Sequence, residues 1–246
     1  TSRDGSYLNP FATIDYAMSK LNGKRGYIYI MDYDPINGSI NVPSGTGTDI
    51  TILSSNFDEN GETISDIVEL ERGTNPTGPM FHVSSNNSKL RVNHITINGN
   101  GVVSNYPLVK ASAGELYINA ETTFTGNKIT NPASGSALDV TGSASLIINS
   151  GTVSNNISNG SGAVNFNSTG EISVLNDIYI TDNTNTAGEK ANVFLSAGKY
   201  ITVEGDLGTS RIGVTSEQIP EASVGESTTA GQEVVIAVPS ADYSGS

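Results

Sequence analysis

The chain has 246 residues, 36% of them hydrophobic and 15% charged, with 27 glycines, no tryptophan and no cysteine. Without cysteine there is neither a disulfide framework nor a thiolate metal site. The net charge of −13, from 12 basic against 25 acidic side chains, argues against a nucleic-acid partner, which needs a basic stripe.

Residues 1–8 form a polar lead-in. Asn9-Pro10 then predicts a helix start, with Asn as the cap and Pro at the first helical position. Phe11, Ile14, Met18 and Leu21 follow at helical spacing as one apolar stripe, and Gly23 ends it. The stripe predicts a plug over the open end of a β-stack, where core and strand edges would otherwise be bare. Tyr27–Met31, Ser39–Val42 and Asp49–Leu53 read as the first strands. Between the first two, Asp32, Asp34 and Asn37 offer oxygens that calcium would accept. Their spacing departs from a calcium loop and the closing glutamate is missing. Pro35 and Asn37-Gly38 account for the segment as a turn, so no cofactor is expected, with calcium at these three residues as the alternative. Residues 54–79 are acidic and irregular, with one strand expected near Ile67–Leu70 and no register assigned.

From Met80 to about Leu207 one pattern repeats five times. The rungs open MFHV, LVKA, ALDV, AVNF and NVFL, and a second apolar pair follows each: Leu90/Val92, Leu116/Ile118, Leu146/Ile148, Ile172/Val174 and Ile201/Val203. In the first four a third strand follows, closing on Asn100, Asn127, Asn156 or Asn183. A period of about 27 residues built from three short alternating strands predicts a solenoid, because one coil cannot bury its inner face alone. Stacking a second coil about 4.8 Å away covers that face and pairs the strands in parallel. The asparagines fit bends and can hydrogen-bond from coil to coil. The fold expected is all-β: a right-handed parallel β-helix with an N-terminal capping α-helix. Residues 1–26 are its lead-in and cap helix, 27–215 its coils, and 216–246 a C-terminal cap strand and polar tail, all one continuous unit.

DGSYLNPFATIDYAMSKL, LRVNHITINGN and AGEKANVFLSAGKYITVEGDLGTSRIGVT carry a resemblance over nearly the whole chain. They resemble bacterial cell-surface proteins of the right-handed parallel β-helix type. That group is similar in fold to pectate lyases and to polymorphic outer-membrane and adhesin-like repeat proteins. The resemblance implies a secreted or cell-surface location and a structural rather than chemical set of motifs. The start at Thr1 and the polar tail at Ser240–Ser246 are expected to be those of a fragment of a longer exported chain.

Alternation places His82, Lys110, Asp139, Asn165 and Phe194 outward on a first face, stacked in that order. A base beside a carboxylate suits proton abstraction or sugar hydrolysis, which makes His82, Lys110 and Asp139 the catalytic candidates. The bland reading is a surface ion-pair column on a flat, solvent-exposed face. The second face turns Arg91, Tyr117, Ile147, Ser173 and Thr202 outward, and the third Thr96, Thr123, Thr152 and Tyr179. Arg91, Tyr117 and Tyr179 are the ligand-binding candidates, since aromatic and hydroxyl groups on a ribbed surface suit neutral sugars. The Asp-Asp pair, Gly-His-Gly and coil arginine of the enzymes with this fold are missing. The function expected is therefore a non-catalytic surface or secreted module, adhesin-like or a spacer, binding glycans or proteins of a host or neighbouring cell. A polysaccharide lyase or glycoside hydrolase and a purely structural stalk are the alternatives. No membrane span is expected, because no apolar run approaches roughly 20 residues, and the chain is expected to be a monomer.

Overall fold

The computed structural model describes residues 4–6, 9–31, 34–54 and 67–217, together with the backbone of a last strand, Ala237–Pro239. Within them the chain winds as a parallel β-solenoid whose strands all pair with strands of the neighbouring coils. Its first face has seven strands, its second eight, its third six, and a fourth face has four two-residue strands. The fourth set (Val103–Ser104, Lys128–Ile129, Ile157–Ser158 and Thr184–Asn185) adds one strand to each middle coil beyond the three expected. Two-residue strands carry no alternation to betray them.

The inward residues form one continuous core. Leu90, Leu116, Leu146 and Ile172 stack in register on the second face, and Phe81, Val109, Leu138 and Val164 on the first. All are 0–1% exposed, and each such side chain contributes about 1.5–3 kcal/mol by leaving water. The early coils, which had no assigned register, join the same columns: Ile40 pairs with Phe81, Asp49 with Lys89 and Glu69 with Thr96. Their strands are Arg25–Ile30, Ile40–Asn41, Thr48–Ser54 and Glu69–Glu71. The end of the coil region, expected at residue 215, holds two strands, Arg211–Ile212 on the third face and Val214–Ser216 on the first. The chain turns there at Gly213, where a Cβ would sit 2.5 Å from the Asn192 amide. Asp32, the acidic residues at 58–66 and, apart from the Ala237–Pro239 backbone, residues 218–246 of the expected C-terminal cap strand and tail lie outside the described residues.

The cap helix, α1, spans Ile14–Lys20 and starts four residues later than expected. Thr13, with extended backbone, is its cap and accepts from the Tyr16 N–H at 3.2 Å. Asn9 cannot cap it, because its carbonyl accepts from the Asp4 and Gly5 N–H groups in a separate turn. Met18 is fully buried, and Ile14, Ala17 and Leu21 pack on the core. Phe11 does not join them; its ring meets Tyr16 edge-on at 5.2 Å. Deleting residues 1–23 uncovers the first coil's core, and the expected result is aggregation in size-exclusion chromatography. A truncated chain that stayed monomeric and equally stable would remove the capping role.

Inside the coil stack runs an asparagine ladder. Asn192 Oδ1 accepts from Asn183 N and Nδ2 at 3.2 and 2.9 Å, and Asn183 Oδ1 accepts from Asn156 N and Nδ2 at 3.0 Å each. Asn156 Oδ1 accepts from Asn127 N at 3.1 Å. Asn127, Asn156 and Asn183 are fully buried. Asn100, the fourth expected member, is exposed and outside the ladder. Five positions separate Asn98 from Val103, whereas three separate Thr125 from Lys128, although both pairs hold matching places. The two extra residues swing Asn100 out.

Candidate functional site

The first face stacks its outward residues as the alternation requires: Asn41, His82, Lys110, Asp139, Asn165, Phe194 and Thr215 are successive partners. The expectation of an open, flat column fails in its lower half. Asp139 and Asn165 are each only 3% exposed. Eight residues separate the strand end Ile129 from Leu138, against four between Ser104 and Val109, and this longer loop folds over the face. Gly135 of the loop donates its N–H to Asp139 Oδ1 at 3.3 Å, and the Asn165 amide donates to the same oxygen at 2.8 Å and to Ala133 O at 3.5 Å. A glycine is needed at 135, since a Cβ there would lie 2.1 Å from Leu138 O.

These contacts decide what the column can do. Lys110 Nζ lies 3.9 Å from Asp139 Oδ2 and is half-exposed. His82 Nε2 is paired with Ser112 Oγ at 3.2 Å. Burial, assisted by the charge of Lys110, lowers the His82 pKa and so favours the neutral imidazole. A base and its orienting carboxylate need about 2.6–3.2 Å or one bridging water. His82 is turned to Ser112 instead, and Asp139 is occupied by an N–H, an amide and a lysine. The three candidates share a column without forming a dyad, and the carboxylate is sealed beneath a loop.

The second face is charged and aromatic. Arg25, Asp49, Lys89 and Glu115 succeed one another in register with alternating sign, which avoids like charges on adjacent strands. Lys89 pairs with Glu115 at 2.9 Å, and Arg91 grips Asp49 with Nε at 2.7 Å and Nη2 at 3.3 Å. The Arg91 guanidinium lies 3.9 Å from the centre of the Tyr117 ring, a cation–π contact. The Tyr117 hydroxyl donates to Glu115. Burial raises the Tyr117 phenol pKa, with the Glu115 contact adding to it. Burial would raise the Glu115 carboxyl too, but hydrogen bonds from Tyr117 and Lys89 outweigh it and hold the group below the usual range. Arg91 and Tyr117 are thus committed to one another and to their acidic neighbours.

The open aromatic surface on this face is elsewhere. Tyr27 and Tyr29, two apart on one strand, are each 56% exposed, with rings 6.4 Å apart and inclined by 29°. Tyr27 heads the column that continues through Thr51, Arg91 and Tyr117. The alternation in YIYI points both rings outward, and that signal was available before any fold was known. Tyr179 stands on the third face, partnered by Thr152 and Arg211, with its hydroxyl on Thr209. It cannot share a ligand surface with Tyr117.

Among the described residues no cluster of three or more acidic or histidine side chains could hold a metal ion. Of the calcium candidates, Asp34 is exposed, Asn37 Oδ1 accepts from the Asn75 N–H at 2.9 Å, and Asp32 is outside the described residues. No described helix is long and apolar enough to cross a membrane. No family model matches this chain, and no curated protein or solved structure matches it.

Proposed function

We propose that this chain is a non-catalytic bacterial surface or secreted module, adhesin-like in use, whose second face binds neutral glycans. The observation that carries the reading is the exposed Tyr27–Tyr29 pair, two rings fixed by a strand whose alternate residues, Ile28 and Ile30, are anchored in the core. Such rings offer apolar faces to the C–H surfaces of sugars, and hydroxyls and amides nearby supply hydrogen bonds. The net charge of −13 disfavours a polyanionic glycan. The sealed Asp139 and the separation of His82 from it support binding without turnover.

A glycan array with the intact chain, paired with an assay for new reducing ends and unsaturated products, tests this. The expected result is binding to neutral glycans with no cleavage, weakened about fivefold or more in Tyr27→Ala/Tyr29→Ala, since each aromatic contact is worth about 0.5–1.5 kcal/mol. Binding unaffected by the double substitution would move the ligand to another face. No binding at all would leave a spacer or stalk, and cleavage lost in Asp139→Asn would make the protein an enzyme.

A further inference from the structure

The asparagine ladder follows a rule: each side-chain oxygen accepts from the asparagine that precedes it in the ladder. By that rule Asn127 Oδ1 should accept from the coil before it. That coil places Asn100 in an exposed turn, and Asn127 Oδ1 is buried with no hydrogen-bond partner among the described residues. Four more buried groups share this condition, Ser39 Oγ, Ser158 Oγ, Arg72 Nε and Ser136 Oγ, and the last two lie close to Asn127. Arg72, Asn127 and Ser136 belong to one neighbourhood. Arg72 Nη2 and Asn127 Nδ2 donate to the same oxygen, Tyr106 O, at 3.3 and 3.0 Å. Asn127 Nδ2 also donates to Ser136 O at 2.6 Å, and Arg72 Nη2 to Pro107 O at 2.5 Å. Buried polar groups without partners are rare in folded proteins, and a group of them on neighbouring side chains points to a shared ligand.

We propose that Arg72 Nε, Asn127 Oδ1 and Ser136 Oγ together hold one internal water molecule, which stands in for the rung that Asn100 does not supply. The chemistry selects a neutral ligand with both donor and acceptor capacity. Arg72 Nε–H can only donate, Asn127 Oδ1 can only accept, and the Ser136 hydroxyl does either. A water accepts from Arg72, donates to Asn127, and has a proton and a lone pair left for Ser136. A halide would suit Arg72 and Ser136 but would face the amide oxygen of Asn127. A cation would face the guanidinium.

Arg72 gives the site its purpose. It is fully buried and has no carboxylate partner among the described residues. Among the described residues its guanidinium donates to the carbonyls of Gly78, Tyr106 and Pro107, the first at 3.1 Å, and burial lowers its pKa to about 10, so it stays charged at neutral pH. The water completes the polar shell of that cation where the irregular early coils meet the ladder.

A high-resolution crystal structure of the unaltered chain tests the assignment, with a second crystal soaked in sodium bromide. The expected result is a solvent peak within hydrogen-bond distance of both Arg72 Nε and Asn127 Oδ1, carrying no bromide anomalous signal. In 15N-labelled protein the Arg72 Nε–H should also show a direct cross-relaxation peak to water. Direct contact between Arg72 Nε and Asn127 Oδ1 with no peak between them would overturn the proposal. A bromide signal at that position would overturn it as well, by showing an anion site.

Discussion

Asn156→Ala is expected to destabilise the protein by about 3–5 kcal/mol, a cost rarely seen for a polar side chain. The side chain makes four kinds of bond at once: its oxygen accepts from Asn127 N, and its amide donates to Phe124 O, Ser154 O and Asn183 Oδ1. Alanine removes the acceptor of Asn127 N and one donor each from Phe124 O, Ser154 O and Asn183 Oδ1, at about 1–3 kcal/mol for each group left unpaired where water cannot reach. Asn100→Ala, at the same place in the repeat but exposed, should cost only about 1 kcal/mol, from the left-handed backbone that asparagine tolerates better than alanine. Urea unfolding followed by circular dichroism measures both. Equal costs would mean that the ladder is incidental to stability.

Phe166→Ala should cost about 3–5 kcal/mol, the usual range for emptying an aromatic position in a packed interior. Phe166 is 1% exposed and stacks on Val140 and Leu195. Its neighbour Asn165 makes the sharper test. Alternation alone predicts an exposed side chain and a cost under about 0.5 kcal/mol. The loop over the first face changes this, because Asn165→Ala withdraws an amide from the buried Asp139 carboxylate. A cost of about 1–3 kcal/mol is expected, and a value near zero would mean that the loop leaves the sheet in solution.

The contrast between Phe166 and Asn165 marks the boundary of what the sequence reveals. Period-two alternation tells which residues turn inward, so the core columns, their register and the stacking of His82, Lys110 and Asp139 are legible. It does not tell what lies over an outward residue. The loop that covers Asp139 is fixed by its length and by Gly135 lying flat on the sheet, neither of which is a periodic signal. The ladder shows the same limit. Asn127, Asn156 and Asn183 recur at a constant place, but Asn192 enters from a connecting segment, only nine residues after Asn183. Arg72 reads as one more surface charge in an acidic stretch, and its burial depends on carbonyls more than thirty residues ahead. The candidate site was the least legible part. Arg91 and Tyr117 were visible as outward residues, but their commitment to Asp49 and Glu115 is a contact between coils.

The ladder and the parallel sheets have a mechanical consequence. Each described strand pairs with strands of other coils, and Asn127, Asn156 and Asn183 of the ladder are 29 and 27 residues apart. Tension drawn on the two ends therefore loads the terminal coil before any other, and that coil can detach while the rest keep all their mutual contacts. A released coil of this length extends to about 90–100 Å, whereas its removal shortens the stack by only about 4.8 Å. Under load the molecule behaves as a reel of discrete turns, lengthening in steps and rewinding on the template of the coil still in place.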